Sequence, residues 1–172
     1  SMSVAAPSSL PRGGPCLVIG ASGCVGGAFV RALQSEGRPV VGTAYHRVAD
    51  RLEPLDVADP AAVEMCVRRI QPSLVILPAA FTNVDDCEQE PDTARRVNVE
   101  GVRHVAAACR AQWLPLVFFS SEYVFDGRAG PYDETAMPNP VNVYGRTKLE
   151  AEQCLQRLLE SCLIIRTTVV FG

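Results

Sequence analysis

The chain has 172 residues, 48% of them hydrophobic and 20% charged, with a formal net charge of −3. That length and balance predict one folded, soluble domain with a sizeable core. They supply no basic face for nucleic acid and no apolar run of membrane-spanning length, so neither is an expected partner.

Residues 1–15 are rich in Ser, Pro, Ala and Gly and lack the apolar core of a signal peptide. They read as a flexible N-terminal segment, with Ser1 ahead of Met2 as a scar of tag removal. Residues 16–172 read as one NAD(P)-binding domain. Residues 16–19 form an apolar first strand that runs into glycines at 20, 23 and 26. A helix is predicted over 24–36, with Val25, Phe29, Val30 and Leu33 on one face and Gly37 ending it. Pro39 to Tyr45 reads as a second strand and Leu52 to Leu55 as a short third one. Asp59 followed by Pro60 is a helix start, with Val63, Cys66, Val67 and Ile70 as the apolar stripe.

Ser73 to Leu77 is a fourth strand, apolar enough to be buried on both faces. A polar stretch from Thr82 to Glu90 follows. One long helix is predicted over Pro91 to Trp113, with Val97, Val102, Val105 and Ala108 inward. Pro115 to Phe119 is a fifth strand, and residues 120–142 a loop rich in Gly and Pro. Val143 to Glu160 is a helix and Cys162 to Thr167 a sixth strand. Strands alternating with helices predict the α/β class, a doubly wound parallel sheet of the Rossmann type. Right-handed crossovers then place the ends of strands one and four side by side, where a ligand binds.

The seven cysteines are scattered, with no pairing or His cluster suited to zinc, so no metal site is expected. They read as reduced buried thiols of a cytoplasmic protein.

Three features carry chemistry. Glycines at 20, 23 and 26 lie between a predicted strand and helix, the context of a pyrophosphate-binding loop. Gly20 makes the turn, Gly23 admits the pyrophosphate and Gly26 lets the helix pack on the strand. Ser22, Cys24 and Val25 belong to the same loop. The second feature is the end of strand two. No acid lies between Val40 and Ala49 to bind an adenosine ribose, and His46 and Arg47 stand there instead. A guanidinium binds a 2′-phosphate that a carboxylate repels, so NADP(H) is expected over NAD(H). The third is Tyr144 and Lys148, four apart on a helix and sharing one face. A nearby ammonium lowers the pKa of a phenol and makes it a better proton carrier. Ser120 and Ser121, at the carboxyl end of strand five, offer a hydroxyl to a substrate carbonyl. The chain has no Gly-x-Ser-x-Gly motif of a hydrolase.

The glycine loop, Ser121, Tyr144 and Lys148 together resemble the extended short-chain dehydrogenase/reductases. The stretches AAFTNVD (79–85), RVNVEG (96–101), SSEYVFDG (120–127) and NPVNVYGRTK (139–148) resemble dTDP-4-dehydrorhamnose reductases. They equally resemble a non-catalytic relative, the methionine adenosyltransferase β subunit. The resemblance runs from about Cys16 to Gly172. It implies an NADP-dependent reductase of a nucleotide-linked 4-ketosugar, of the kind used in dTDP-rhamnose synthesis. Tyr144 is then the proton donor, Lys148 binds the nicotinamide ribose, and Ser121 hydrogen-bonds the keto oxygen. Asp56 and Val57 lie by the adenine, Ala79 and Ala80 border the cofactor, and Asn98 takes the active-site asparagine position. Val84, Asp85, Ser121 and Glu122 face the sugar nucleotide.

The chain departs from the family pattern at Ile19, where Thr is frequent, at Pro78, where Asn or Cys is frequent, and at Glu122, where Asp is usual. The resemblance also implies roughly another hundred residues after Gly172, on usual domain sizes. On that reading the C-terminal substrate lobe is absent, and the chain alone holds a cofactor but does not position a carbonyl substrate. The alternative function is a regulatory subunit that binds NADP without turnover. The expected partners are accordingly a nucleotide-sugar substrate or a partner enzyme subunit, with a homodimer left open.

Overall fold

The computed structural model describes residues 13–45, 51–78, 84–121 and 137–167. Six strands form one parallel sheet: β1 (Cys16–Ile19), β2 (Val40–Ala44), β3 (Leu52–Pro54), β4 (Leu74–Leu77), β5 (Leu116–Ser121) and β6 (Cys162–Thr167). Their order is β3-β2-β1-β4-β5-β6, and every pairing is parallel. The order reverses between β1 and β4, where Cys16 faces Leu74 and Val18 faces Ile76. This is the switch point predicted from the alternation of elements.

Strand alternation divides the core. Leu17, Ile19, Val75, Leu77, Leu116 and Phe118 face one side. There they meet α2 (Pro60–Ile70), α5 (Val102–Ala111) and α6 (Val143–Leu158) through Val63, Val105 and Leu155. Cys16, Val18, Ile76 and Phe119 face the other side and meet Phe29, Val30 and Leu33 of α1 (Cys24–Ser35). The rings of Phe29 and Phe119 lie 5.2 Å apart. Val25 leaves the predicted stripe and is 38% exposed.

Local chemistry sets the helix ends. The Asp59 carboxylate accepts from the N–H groups of Ala61 and Ala62 and caps α2. The Asn142 side chain accepts from Gly145 N–H at 2.7 Å and caps α6. Gly37 adopts φ +68 after α1, a left-handed conformation that glycine takes freely.

Two expectations are corrected. The polar stretch after β4 contains a short helix, α3 (Val84–Gln89). The helix predicted over Pro91 to Trp113 is three segments: α4 (Pro91–Arg95), a π turn (Arg96–Gly101) and α5. It stops at Ala111, and Trp113 has φ +55 and is 85% exposed.

Candidate functional site

At the switch point the glycine loop leaves β1. Gly20 has φ +84, and the N–H groups of Gly20 and Ala21 both donate to Thr43 O, which ties the loop to β2. A Cβ on Gly26 would stand 2.3 Å from Gly20 O, so only a hydrogen lets α1 approach the strand this closely. Gly26→Ala is expected to force that contact apart. It should destabilise the fold by about 1–3 kcal/mol, the range for overpacking, and weaken any ligand held by the loop. Urea denaturation checks the first effect; an unchanged midpoint would reject the contact.

The N-terminus of α1 has no side-chain cap, in contrast to α2 and α6. Ser22, Gly23, Cys24 and Val25 around it are exposed. Uncapped N–H groups at an open helix start are a seat for an anion.

From Gly20 a cavity of about 710 Å³ extends to Lys148. One wall is the connection after β3, with Asp56, Val57 and Asp59. The lining also includes Arg96, Val97 and Asn98 of the π turn, Phe118 of β5 and Lys148 of α6. Asp56 Oδ1 accepts from Ala58 N–H at 2.9 Å, and Val57 O is 2.7 Å from the His104 ring nitrogen Nδ1. The π turn carries Asn98 into a buried position, where its amide donates to Thr147 Oγ1 at 3.3 Å. Thr147 in turn donates to Tyr144 O at 2.8 Å. Wide turns of this type recur at functional sites because they redirect a side chain from a helix.

Lys148 is 1% exposed. Its Nζ donates to Phe119 O at 3.0 Å and lies 4.2 Å from the centroid of the Phe118 ring. Burial pulls this lysine down to about 7, with the Glu152 carboxylate acting in the opposite direction. Tyr144, one turn earlier on α6, is also 1% exposed. Its ring packs with Cys87 of α3, Ala94 of α4 and Val143. Glu88 of α3 accepts from Val143 N–H and pins α3 to the start of α6.

The structure thus brings Gly20, Asp56, Val57, Asn98 and Lys148 around one cavity. Tyr144 and Ser121 are buried nearby without lining it. Asp85 is exposed on α3. Ser120 has a role that the sequence did not assign: its Oγ donates to buried Glu152 at 3.1 Å, while Ser121, the residue expected at the keto oxygen, is buried at the end of β5. His46, Arg47, Ala79, Ala80, Glu122 and the side chain of Val84 lie outside the described residues. Sequence reasoning missed Thr93, Arg96 and Val97 on the cavity wall. It also missed Glu152, whose signal was available: it continues the four-residue spacing of Tyr144 and Lys148. Five of the cysteines are buried, Cys162 is half-buried and Cys24 is exposed at the glycine loop. Among the described residues no group of three His, Cys, Asp or Glu side chains is placed to hold a metal ion. Among them, too, no helix is long and apolar enough to cross a membrane.

A family model described as the RmlD substrate binding domain matches residues 15–172. The chain belongs to the RmlD substrate binding domain family. Among the relatives of this RmlD-family chain is methionine adenosyltransferase 2 subunit beta of Xenopus tropicalis, 35% identical over 156 residues, which are 91% of this chain and 47% of that protein. Another is dTDP-4-keto-6-deoxy-D-glucose reductase of Streptomyces niveus, 37% identical over 158 residues, 91% of this chain and 52% of that one. Among solved structures, dTDP-4-dehydrorhamnose reductase of Bacillus anthracis in complex with NADP superposes with a TM-score of 0.83 at 32% identity. The match covers 92% of this chain and 55% of that one. This RmlD-family chain therefore spans about half the length of the relatives it matches.

Proposed function

We propose that this chain is the NADP-binding part of a reductase acting on a nucleotide-linked 4-ketosugar. The observation that carries the reading is the continuity of one cavity from the glycine loop to Lys148, one helical turn from Tyr144. The residues present fit the cofactor. The uncapped start of α1 suits a pyrophosphate, the turn at Asp56 and Val57 suits the adenosine end, and Lys148 with Asn98 suits the nicotinamide ribose. NADPH supplies the hydride when bound. Tyr144 supplies the proton to the keto oxygen, Lys148 favours the phenolate that results, and Ser121 orients the carbonyl. Val84, Asp85 and Glu122 face the sugar nucleotide, and Ala79 and Ala80 border the cofactor. His46 and Arg47 bind the 2′-phosphate. The RmlD-family relatives that are reductases of dTDP-linked sugars support the substrate class.

A second reading, an NADP-binding regulatory subunit without turnover, is favoured by one observation. Tyr144 is packed among Cys87, Ala94 and Val143 and does not line the cavity. The identity to methionine adenosyltransferase 2 subunit beta supports it as well. In this case the partner is an enzyme subunit in place of a sugar nucleotide. Both readings place the chain in the cytoplasm, where reduced thiols persist.

Fluorescence titration tests the shared part. NADPH is expected to bind at least tenfold more tightly than NADH, about 1.4 kcal/mol, and Arg47→Ala should erase the difference. Equal affinities in the wild-type chain would overturn the NADP assignment. Turnover of a dTDP-linked 4-ketosugar by the intact protein separates the two readings.

A further inference from the structure

We propose that Glu152 is a positioning residue that holds Lys148 as an ammonium ion through a network with Ser120 and Arg166. The proposal rests on the reading of Lys148 as a side chain that faces the cofactor.

Glu152 follows Lys148 by one turn of α6 and is 2% exposed. One carboxylate oxygen accepts from Ser120 Oγ at 3.1 Å, the other from Arg166 Nε at 2.9 Å. Ser120 O accepts from Thr167 Oγ1 at 3.3 Å, and Phe119 O accepts from Lys148 Nζ at 3.0 Å. Helix α6 is thereby tied to the last residues of β5 and β6 by polar contacts beside the lysine. An ion pair with one buried partner is a poor device for stability, since apolar residues of the same volume often serve equally well. What an apolar residue does not supply is a negative charge one turn from a buried ammonium.

Lys148 needs such a charge. Its own contacts are a carbonyl and an aromatic face, neither of them a carboxylate. Among the described residues, the other charged or titratable groups around it are Tyr144 on α6, Tyr45 after β2, Asp56 and Asp59 after β3, Arg96 on the π turn and Arg166 on β6. Asp56 and Asp59 each accept backbone N–H bonds in their own turn. Arg96 is a like charge. Glu152 is the carboxylate that acts on Lys148 against burial, and Arg166 sets how much of its charge is left over.

The test is a titration of Lys148 by NMR, on protein labelled at the lysine ε-carbon, with Lys148→Met identifying its signal. The wild-type chain is expected to titrate at about 7. Glu152→Gln keeps the shape and should move the midpoint down by about one pH unit. Arg166→Gln should move it up, because Glu152 then lacks its cationic partner. A loss of packing would shift both variants in one direction. Midpoints that stay in place, or that move with the same sign, overturn the proposal. Should Glu152→Gln be too unstable to titrate, Arg166→Gln decides: an upward shift supports the network, and an unmoved or downward midpoint rejects it. NADPH added to the same samples separates the two claims. A Lys148 signal indifferent to NADPH rejects the cofactor-facing reading, while the midpoints without NADPH judge Glu152.

Discussion

Tyr144→Phe in the intact protein is expected to lower reduction of a dTDP-linked 4-ketosugar by about 10²–10⁴-fold, the usual contribution of a positioned proton donor. The substitution removes one oxygen. The ring keeps its packing against Cys87, Ala94 and Val143, so the fold should be preserved. The cavity wall is also unchanged, because Tyr144 does not contribute to it. NADPH affinity should therefore stay within about twofold, and the loss should fall on kcat. Retained turnover in the variant would reject Tyr144 as proton donor. No turnover in the wild-type intact protein would favour the regulatory reading.

Lys148→Met is expected to stabilise the fold at neutral pH while weakening NADPH binding. Burial pulls Lys148 from 10.5 to about 7 in the folded chain. The unfolded chain restores the ordinary value, so between these limits it binds the extra proton. Stability then rises with pH through that window, and the full penalty is present below it. At about 1.4 kcal/mol per unit, the penalty at pH 7 is at most about 4 kcal/mol. The lost hydrogen bond to Phe119 O returns about 1–3 kcal/mol of it. The net expectation is a gain of about 1–3 kcal/mol at pH 7. The buried thiols act in the opposite sense at higher pH. Burial pushes Cys16 up to about 11 and Cys109 up to about 12. Their unfolded counterparts ionise at about 8.5, so stability falls above that. The wild-type chain should be most stable near pH 8–9, and the variant should lose the rise from pH 7. Urea denaturation of both at pH 7 and pH 8.5 decides. A variant less stable at pH 7 with the same pH slope would sink the argument. This is the exchange expected of a functional site, where activity is kept at the expense of stability.

The sheet was legible because its signals are local. Apolar runs of about four residues mark the first, fourth and fifth strands, Asp59 with Pro60 opens a helix, and alternation then dictates a parallel order. The short helix α3 was not legible. Its six residues hold two acids near the start and one buried cysteine, Cys87, and are too few to show an apolar period. It is held by what it docks on, Tyr144 through Cys87 and the start of α6 through Glu88. The glycine loop, Asn98 and Lys148 were legible as types. The network at Glu152 was not, because Ser120, Glu152 and Arg166 meet only once β5, α6 and β6 are side by side.

The π turn was hidden for another reason: no residue type is peculiar to it, and its mark is a five-residue step between the buried apolar residues Ala94 and Val99. That step behaves as an insertion of one residue into an α-helix. Deleting any one residue of 96–101 would restore an unbroken helix with better hydrogen-bond geometry. It would also turn α4 by about 100° relative to α5 and carry Ala94 away from Tyr144. The chain therefore retains a locally inferior helix, and single-residue length changes here should be tolerated far less well than substitutions.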